Sequence, residues 1–167
     1  MPTLEKTTFD RIREIVYETS GISLGPKKEA LVSARIGKRM RALGIRDYET
    51  YLHYLETNDD EVVGLLDAVS ANVTSYFRES HHFEFIAEQA NEWYASGQRR
   101  FRIWSAACST GEEPFSLAMV LKEALPYPDV DLKILATDIS TQTLAACEAA
   151  CYEQRKMEPV PQDLRER

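Results

Sequence analysis

Apolar side chains recur every three or four positions through residues 9–69, which is the spacing of amphipathic helices. Four stripes follow this spacing: Phe9, Ile12 and Val16; Leu31, Ala34 and Met40; Tyr48, Tyr51, Leu52 and Leu55; Val62, Leu65, Leu66 and Val69. Each stripe is interpreted as the buried face of a helix, because such faces pack against one another. The pattern predicts a bundle of four short helices.

Polar and helix-breaking residues separate these stripes. A threonine pair, Thr7 and Thr8, is suited to N-capping the first helix, and the second helix begins after Pro26 and ends at Gly44. The stretch 58–60, Asn-Asp-Asp, supplies the break and the cap between the third and fourth helices.

A polar stretch, NVTSYFRESHHF (residues 72–83), precedes a fifth helical pattern. The apolar positions of this fifth helical pattern are Phe83, Ile86, Ala87, Ala90 and Tyr94. We expect Ser80 to cap this helix and Gly97 to end it.

The pattern then changes to alternating strands and helices. FRIWSAACSTGEEPFSLAMVLKEAL (101–125) reads as a strand, a small-residue turn and a helix with Pro114 in its first turn. DLKILATDISTQTLAACEAACY (131–152) repeats strand, acidic turn and helix. This order predicts an α/β fold with parallel strands and a crossover helix.

Two domains follow from these patterns: an all-α helical domain over residues 1–71, and the first part of an α/β domain over residues 72–167. Only two strands are recognised, and a two-stranded parallel sheet buried on both faces is not a stable domain. We therefore expect a truncated chain that stops in mid-fold, with an edge that invites a swapped or edge-paired dimer.

Composition narrows the class of protein. The chain is 44% hydrophobic and 28% charged, with a formal net charge of −7. No apolar tract of membrane-spanning length and no leader is recognised, so a cytoplasmic, soluble protein without membrane insertion is expected. Three cysteines, an odd count, indicate reduced thiols. The negative charge argues against a protein that coats nucleic acid.

Positive charge is concentrated in one segment. Seven basic residues and one acidic residue lie between Gly25 and Arg46, for a local charge of +6. Such a segment is either a solvated helix face or a surface that attracts an acidic partner, and the sequence pattern leaves both readings open.

The turn after the first strand has the position of a ligand-binding turn in doubly wound folds. It lacks G-x-G-x-x-G: small residues and the single Gly111 occupy 106–111, and Asp138 follows the second strand. A nucleoside ligand without phosphates is favoured over a dinucleotide, while a tight packed turn with a capping Asp138 is the alternative.

Glu112 and Glu113 stand in the first turn of the next helix, where carboxylates are favourable against the helix dipole without any function. Their charge also suits a sulfonium ligand with an amino group better than it suits phosphate. Both interpretations remain open at this point.

Three blocks in order, NVTSYFRESHHF, RIWSAACSTGEEPFSLAM and ATDIS, resemble the CheR family of chemotaxis receptor methyltransferases, and YEQRKMEPVPQDLRER resembles the segment that follows. The resemblance covers nearly the whole chain. It implies a Rossmann-like class I methyltransferase domain, the cofactor S-adenosylmethionine with S-adenosylhomocysteine as product, and glutamate side chains of chemoreceptor cytoplasmic helices as substrate.

The resemblance also implies roles for individual residues. Asn72, Thr74 and Arg78 would line the methionine end of the cofactor, Glu113 would contact it near the first turn, and Asp138 would hold its ribose. Arg78 is the catalytic prediction, because its guanidinium would orient either the substrate carboxylate or the cofactor's own carboxylate. Receptor contacts would come from the basic segment: Lys27, Lys28, Arg35, Lys38, Arg39 and Arg41.

A metal site is not expected. His81 and His82 are neighbours whose directions differ by about 100 degrees on a helix, so they do not chelate one ion easily. One histidine is expected to pack or cap, and the other to face a cleft or solvent. Cys147 and Cys151, four apart, are expected to be buried on one helix face.

Two other functions compete with the enzyme. One is a non-catalytic module that binds receptor helices or the cofactor, because the family's catalytic domain continues beyond Arg167. The other is a nucleic-acid protein that uses the basic segment.

Overall fold

A computed structural model describes residues 6–25 and 28–165. The chain divides into two compact units, Met1–Ala71 and Asn72–Arg167. We call them the helical unit and the α/β unit. The helical unit contains α1 (Lys6–Ser20), α2 (Glu29–Leu43), α3 (Tyr48–Thr57) and α4 (Asp59–Val69).

One core holds the four helices together. Its buried side chains are Phe9, Ile12, Val16, Leu24, Val32, Ile36, Met40, Tyr51, Leu55, Leu65, Leu66 and Val69. The predicted stripes of α1, α3 and α4 are confirmed. The prediction for α2 is wrong in part, because Leu31 is 53% exposed and Val32 and Ile36 face the core in its place. Val32, Ile36 and Met40 are spaced four residues apart and form the buried face, whereas Leu31 and Ala34 lie outside it.

A buried carboxylate also lies in this core. Glu61, in the first turn of α4, is 3% exposed. Arg39 donates to both of its oxygens, with Nε at 3.0 Å and one terminal nitrogen at 2.7 Å. The Tyr51 hydroxyl donates to Glu61 Oε1 at 2.8 Å. A buried charge needs such partners, and this one joins α2, α3 and α4.

The α/β unit contains α5 (His81–Ala95), β1 (Arg100–Ala106), α6 (Glu112–Ala124), β2 (Asp131–Thr137), α7 (Thr141–Ala149), a 3-10 turn (Gln154–Met157) and the single helical turn α8 (Gln162–Arg165). The strands β1 and β2 pair in parallel, from Arg100 opposite Asp131 to Ala106 opposite Thr137. The predicted parallel pair with a crossover helix is confirmed.

One face of this sheet is covered by α5 and α6. Phe101 in β1 is 1% exposed and packs with Ala90, Leu121 and Leu125. On the other face the cross-strand neighbours Trp104 and Leu135 are 67% and 60% exposed. The sheet is therefore buried on one side only within the described residues.

The capping prediction for Thr7 and Thr8 is wrong, whereas Ser80 and Asn58 stand at the predicted N-cap positions without a capping side-chain hydrogen bond. Thr7 and Thr8 lie inside the first turn of α1, which spans Lys6–Ser20, so they do not precede the helix. Ser80 precedes α5 but makes no side-chain capping hydrogen bond. Asn58 lies between α3 and α4, and its amide donates backward to the Tyr54 carbonyl at 2.8 Å. Gly44, at φ 74°, ends α2 as predicted.

The cysteine pair also differs from expectation. Cys147 is buried in α7, whereas Cys151 is exposed because α7 ends at Ala149. Ala150 adopts φ 49° and turns the chain, so the four-residue spacing no longer places both thiols on one face.

Candidate functional site

The turn between β1 and α6 has an unusual backbone. Ala107, Ser109 and Gly111 all have positive φ, at 67°, 49° and 100°. Cys108 donates its N–H to the Thr137 carbonyl at 2.9 Å, which ties the turn to the end of β2. We call residues 106–111 the cofactor turn, after the ligand that the sequence resemblance predicts there. Two non-glycine residues in the left-handed region mark a strained backbone that its surroundings must hold in place.

Asp138 holds this turn from the end of β2. Its carboxylate accepts the N–H of Ser109 at 2.7 Å and the N–H of Ser140 at 2.8 Å. The side chain is half-buried, at the carboxyl end of the parallel strands where ligands of doubly wound folds bind. The capping role foreseen for Asp138 is therefore present, and each oxygen retains a second lone pair for a hydroxyl.

The two glutamates after the turn occupy different environments. Glu112 is 1% exposed and pairs with Lys156, whose Nζ lies 2.7 Å from Glu112 Oε1. Glu113 is exposed and accepts a hydrogen bond from the Ser105 hydroxyl at 2.6 Å, beside the end of β1. Of the two, only Glu113 has an exposed side chain.

Burial raises the pKa of Glu112, but hydrogen bonds from Lys156 and Thr110 outweigh it, and the net pKa lies below the ordinary value. Glu112 is therefore an anion fixed inside the protein. In the same region, burial and the neighbouring Cys147 raise the pKa of the Cys108 thiol to about 11, so this thiol is neutral and unreactive.

The polar stretch from residue 72 to residue 78 is extended and then turns. Phe77 has φ 53° and donates its N–H to the Ser116 hydroxyl in α6 at 3.0 Å. Tyr76 is 3% exposed and its ring meets the Tyr152 ring edge-on, with centroids 5.5 Å apart. The residues before these two adjacent anchors, 72–75, and Arg78 after them are exposed or half-buried.

The three predicted ligands of this stretch are all accessible. Asn72 and Arg78 are exposed, and Thr74 is half-buried. The Arg78 guanidinium donates to the Val73 carbonyl at 2.6 Å, which leaves further N–H groups for an anion. Asn72, Thr74, Arg78, Glu113 and Asp138 all belong to the α/β unit.

Tyr152 and Lys156 were not foreseen as part of the site. The Tyr152 hydroxyl donates to the Thr110 carbonyl at 2.6 Å, and Lys156 pairs with Glu112. Tyr152 lies 42 positions along the chain from Thr110, and Lys156 lies 44 positions from Glu112, the residue that follows the turn. No local spacing signals such a contact.

The basic residues of α2 separate into two groups. Arg35 donates to the carbonyls of Val69 and Ser70, both at 2.8 Å, and Arg39 pairs with Glu61. Lys28, Lys38 and Arg41 are exposed. Lys27 lies outside the described residues. The first two arginines therefore have internal partners, and the exposed positive charge comes from the other three.

His81 and His82 are both exposed, so the expectation that one of them packs is wrong. The rings of His81 and His82 contact each other instead, with centroids 4.1 Å apart. Within residues 6–25 and 28–165, no group of three His, Cys, Asp or Glu side chains is arranged to hold a metal ion. In the same ranges no helix has the length and hydropathy needed to cross a membrane.

The exposed groups fit one kind of small ligand. Glu113 and Asp138 are carboxylates that accept from hydroxyl or amino groups, and neither suits a phosphate beside it. Arg78 suits a carboxylate. A nucleoside that carries an amino acid, with a positive centre and no phosphate, combines these features.

Comparison with known families agrees with this chemistry. Residues 72–167 match the family described as CheR methyltransferase, SAM binding domain, and residues 7–70 match CheR methyltransferase, all-alpha domain. The α/β unit is thus the start of a SAM-binding domain preceded by an all-α domain. The chain belongs to the CheR methyltransferase family, as the three sequence blocks predicted.

Individual relatives carry the same description. A chemotaxis protein methyltransferase 2 of Pseudomonas aeruginosa is 38% identical over 159 residues, which cover 95% of this chain and 56% of the relative. A chemotaxis protein methyltransferase of Salmonella typhimurium is 37% identical, covering 96% of this chain and 56% of the relative. A chemotaxis protein methyltransferase of Borreliella burgdorferi is 34% identical, covering 97% of this chain and 60% of the relative. The chain therefore spans little more than half the length of these relatives.

Proposed function

We propose that this chain is part of an enzyme that transfers the methyl group of S-adenosylmethionine to glutamate carboxylates on chemoreceptors. The observation that carries the proposal is the placement of two carboxylates, the exposed Glu113 and the half-buried Asp138, beside a strained turn at the carboxyl ends of β1 and β2. The names of the relatives, chemotaxis protein methyltransferases, supply the reaction class and its biological setting.

In this proposal the residues 1–71 form an all-α domain, and residues 72–167 form the first part of the cofactor domain. Asp138 accepts from the ribose hydroxyls and Glu113 from the cofactor near the turn. Asn72 and Thr74 bind the methionine end. Their accessibility in the α/β unit supports these roles.

The cofactor supplies a methyl group activated by a sulfonium. The substrate glutamate is already ionised at neutral pH, so its carboxylate is a competent nucleophile and no general base is needed. The task left to the protein is alignment of the carboxylate with the methyl carbon. Arg78 serves this alignment by pairing with a carboxylate, either that of the substrate or that of the cofactor.

The partner in this proposal is the acidic methylation helix of a chemoreceptor, in the cytoplasm. Exposed cations on or next to α2 support this partner: Lys28, Lys38 and Arg41. Lys27, Arg35 and Arg39 stay in the proposed contact set, although the guanidinium groups of Arg35 and Arg39 already have partners within the helical unit. Arg35 and Arg39 add positive potential to this surface in addition to their internal bonds.

Calorimetry of the intact protein with S-adenosylhomocysteine tests the cofactor assignment. We expect saturable binding that is weakened about tenfold or more in Asp138→Ala, because a charge-assisted hydrogen bond is lost. Arg78→Ala is expected to reduce turnover on receptor glutamates. Binding with no turnover in the intact protein would favour a non-catalytic module, and unchanged kinetics in both variants would reject the site.

A nucleic-acid function is the other alternative. It requires salt-sensitive binding to RNA or DNA through the basic residues of α2. We expect none, since the net charge of the chain is −7.

We also propose that a chain limited to these 167 residues self-associates through its sheet. Trp104 and Leu135 form an exposed apolar pair on one face, and a parallel sheet exposes unpaired edges as well. A swapped or edge-paired dimer covers this surface.

A further inference from the structure

Glu112 is a junction between four segments of the α/β unit. One carboxylate oxygen accepts from Lys156 at 2.7 Å, and the other accepts from the Thr110 hydroxyl at 2.6 Å. Its backbone carbonyl accepts from the Ser116 hydroxyl at 2.6 Å, and that hydroxyl in turn accepts the N–H of Phe77. The cofactor turn, α6, the polar stretch and the 3-10 turn are thereby linked through one residue.

Tyr152 makes a second link to the same turn. Its hydroxyl donates to the Thr110 carbonyl, and its ring contacts those of Tyr76 and Phe115. Gly111, next to Thr110, has φ 100°, and a Cβ there would lie 2.5 Å from the Tyr152 hydroxyl and 2.9 Å from Cys147 Sγ. Tyr152 therefore packs against the turn so closely that only glycine fits.

We propose that Glu112, Tyr152 and Lys156 are positioning residues, which hold the cofactor turn and the polar stretch at the separation that the cofactor requires. This inference rests on the proposed function, because it assigns no ligand of its own. None of the three residues contacts the cofactor in this proposal. They act through Thr110, Gly111, Ser116 and Phe77.

The physical need for such support comes from the turn itself. Left-handed backbone at Ala107 and Ser109 costs free energy at each residue and persists only where the surroundings hold it. Asp138 holds one side of the turn through the Ser109 N–H. Tyr152 and the ion pair hold the other side, at Thr110. Loosening that side leaves the helix intact but misplaces the groups that face the ligand.

The first test removes one hydroxyl. Tyr152→Phe keeps the ring contacts and deletes the bond to the Thr110 carbonyl, so we expect the Kd of the intact protein for S-adenosylhomocysteine to rise about fivefold. The matched control is Tyr94→Phe, which deletes a hydroxyl bond to Asp129 elsewhere in the same unit. We expect the control to bind as the wild type does.

The second test separates positioning from stability. Lys156→Met leaves Glu112 buried without its cation, and the titratable groups that still face it, Tyr76 and Tyr152, stay neutral because burial raises their pKa values. Burial then raises the pKa of Glu112 above its unfolded value, so stability falls as pH rises above the ordinary glutamate pKa of 4.5. The wild type, with Glu112 ionised throughout, lacks this slope.

The double variant Glu112→Gln/Lys156→Met removes the titrating group. We expect it to lose the added pH slope of Lys156→Met while its Kd is raised about tenfold over the wild type, because the bond that ties the 3-10 turn to residue 112 is not restored. If Kd follows stability in every variant, or if Tyr152→Phe binds as the wild type does, the inference is overturned. Absence of binding to the wild type would instead reject the proposed function.

Discussion

Two adjacent carboxylates in the first turn of α6 share the same helix dipole but have opposite roles. Glu112 is enclosed and paired with Lys156, and Glu113 is exposed beside the end of β1. The dipole favours both charges equally, so it does not distinguish them. Their surroundings distinguish them, because a buried anion stabilises the fold and an exposed one is available to a ligand.

Glu113→Gln is expected to weaken binding of S-adenosylhomocysteine about tenfold, because a charged acceptor becomes neutral. The free energy of unfolding should change by less than about 0.5 kcal/mol, as for other exposed sites. Calorimetry and thermal unfolding of the intact protein measure the two effects. Glu88→Gln, an exposed carboxylate on α5, is the control. A large loss of stability in Glu113→Gln would contradict the assignment.

The lowered pKa of Glu112 predicts an acid limit on stability. Its stabilising contribution is fully present above the ordinary pKa of 4.5 and is lost as pH falls through the folded-state pKa. We therefore expect the stability difference between the wild type and Glu112→Gln/Lys156→Met to shrink below about pH 4.5. Thermal unfolding between about pH 3 and pH 6 measures it. A difference that is constant over this range would show that Glu112 does not titrate with folding.

At the level of the helices, two glycines in similar local settings have different neighbours. Gly37 lies in α2, where a Cβ would be 3.6 Å from the Arg41 guanidinium, an ordinary contact. Gly64 lies in α4, where a Cβ would approach the Arg39 guanidinium carbon to 2.8 Å. Arg39 is not free to move away, because it holds the buried Glu61 with two hydrogen bonds.

Gly37→Ala is expected to raise the free energy of unfolding by about 0.5–1 kcal/mol, the usual gain from replacing glycine inside a helix. Gly64→Ala gains the same helix propensity but displaces Arg39 from Glu61, so we expect a net loss. Denaturant unfolding of the two variants makes the comparison. Equal stabilisation by both would mean that the Arg39–Glu61 pair contributes little.

For the molecule as a whole, charge is unevenly distributed: a net charge of −7 coexists with the basic residues of α2. An acidic receptor helix would be repelled by most of the surface and attracted by that helix. Such steering acts mainly on the association rate and is screened by salt.

Lys38→Glu is expected to slow association of the intact protein with an acidic receptor-helix peptide about tenfold at low salt, and the difference should disappear at high salt. Stopped-flow binding measures the rates. Lys122→Glu, the same charge change at an exposed position of α6, is the control. Equal slowing by both variants would indicate net charge rather than the α2 surface.

The exposed sheet face leads to a prediction about a chain of these 167 residues. Light scattering is expected to detect association that increases with concentration, and Trp104→Ser/Leu135→Ser should reduce it because the apolar pair is removed. Phe85→Ser, a single exposed apolar residue on α5, is the control. A monomer at all concentrations would reject self-association.

Local periodicity was sufficient for most elements. The stripes of α1, α3 and α4 and the strand, turn and helix order after Gly97 were all recognised, because burial repeats every 3.6 or 2 residues along one element. The family was recognised from three contiguous blocks. The face of α2 was misjudged at Leu31, although Val32, Ile36 and Met40 recur every four residues and mark the buried face.

Position along the chain determined that Glu113 and Asp138 follow two strands, and therefore that both lie at the carboxyl ends of a parallel sheet. Only tertiary structure decided that Glu112 is enclosed, that Arg39 serves Glu61, and that Tyr152 and Lys156 reach the cofactor turn. The physical reason is the sequence separation over which each interaction acts. Hydrophobic period and turn chemistry act between neighbours in sequence, whereas the environment of a charge depends on side chains that folding brings from distant segments.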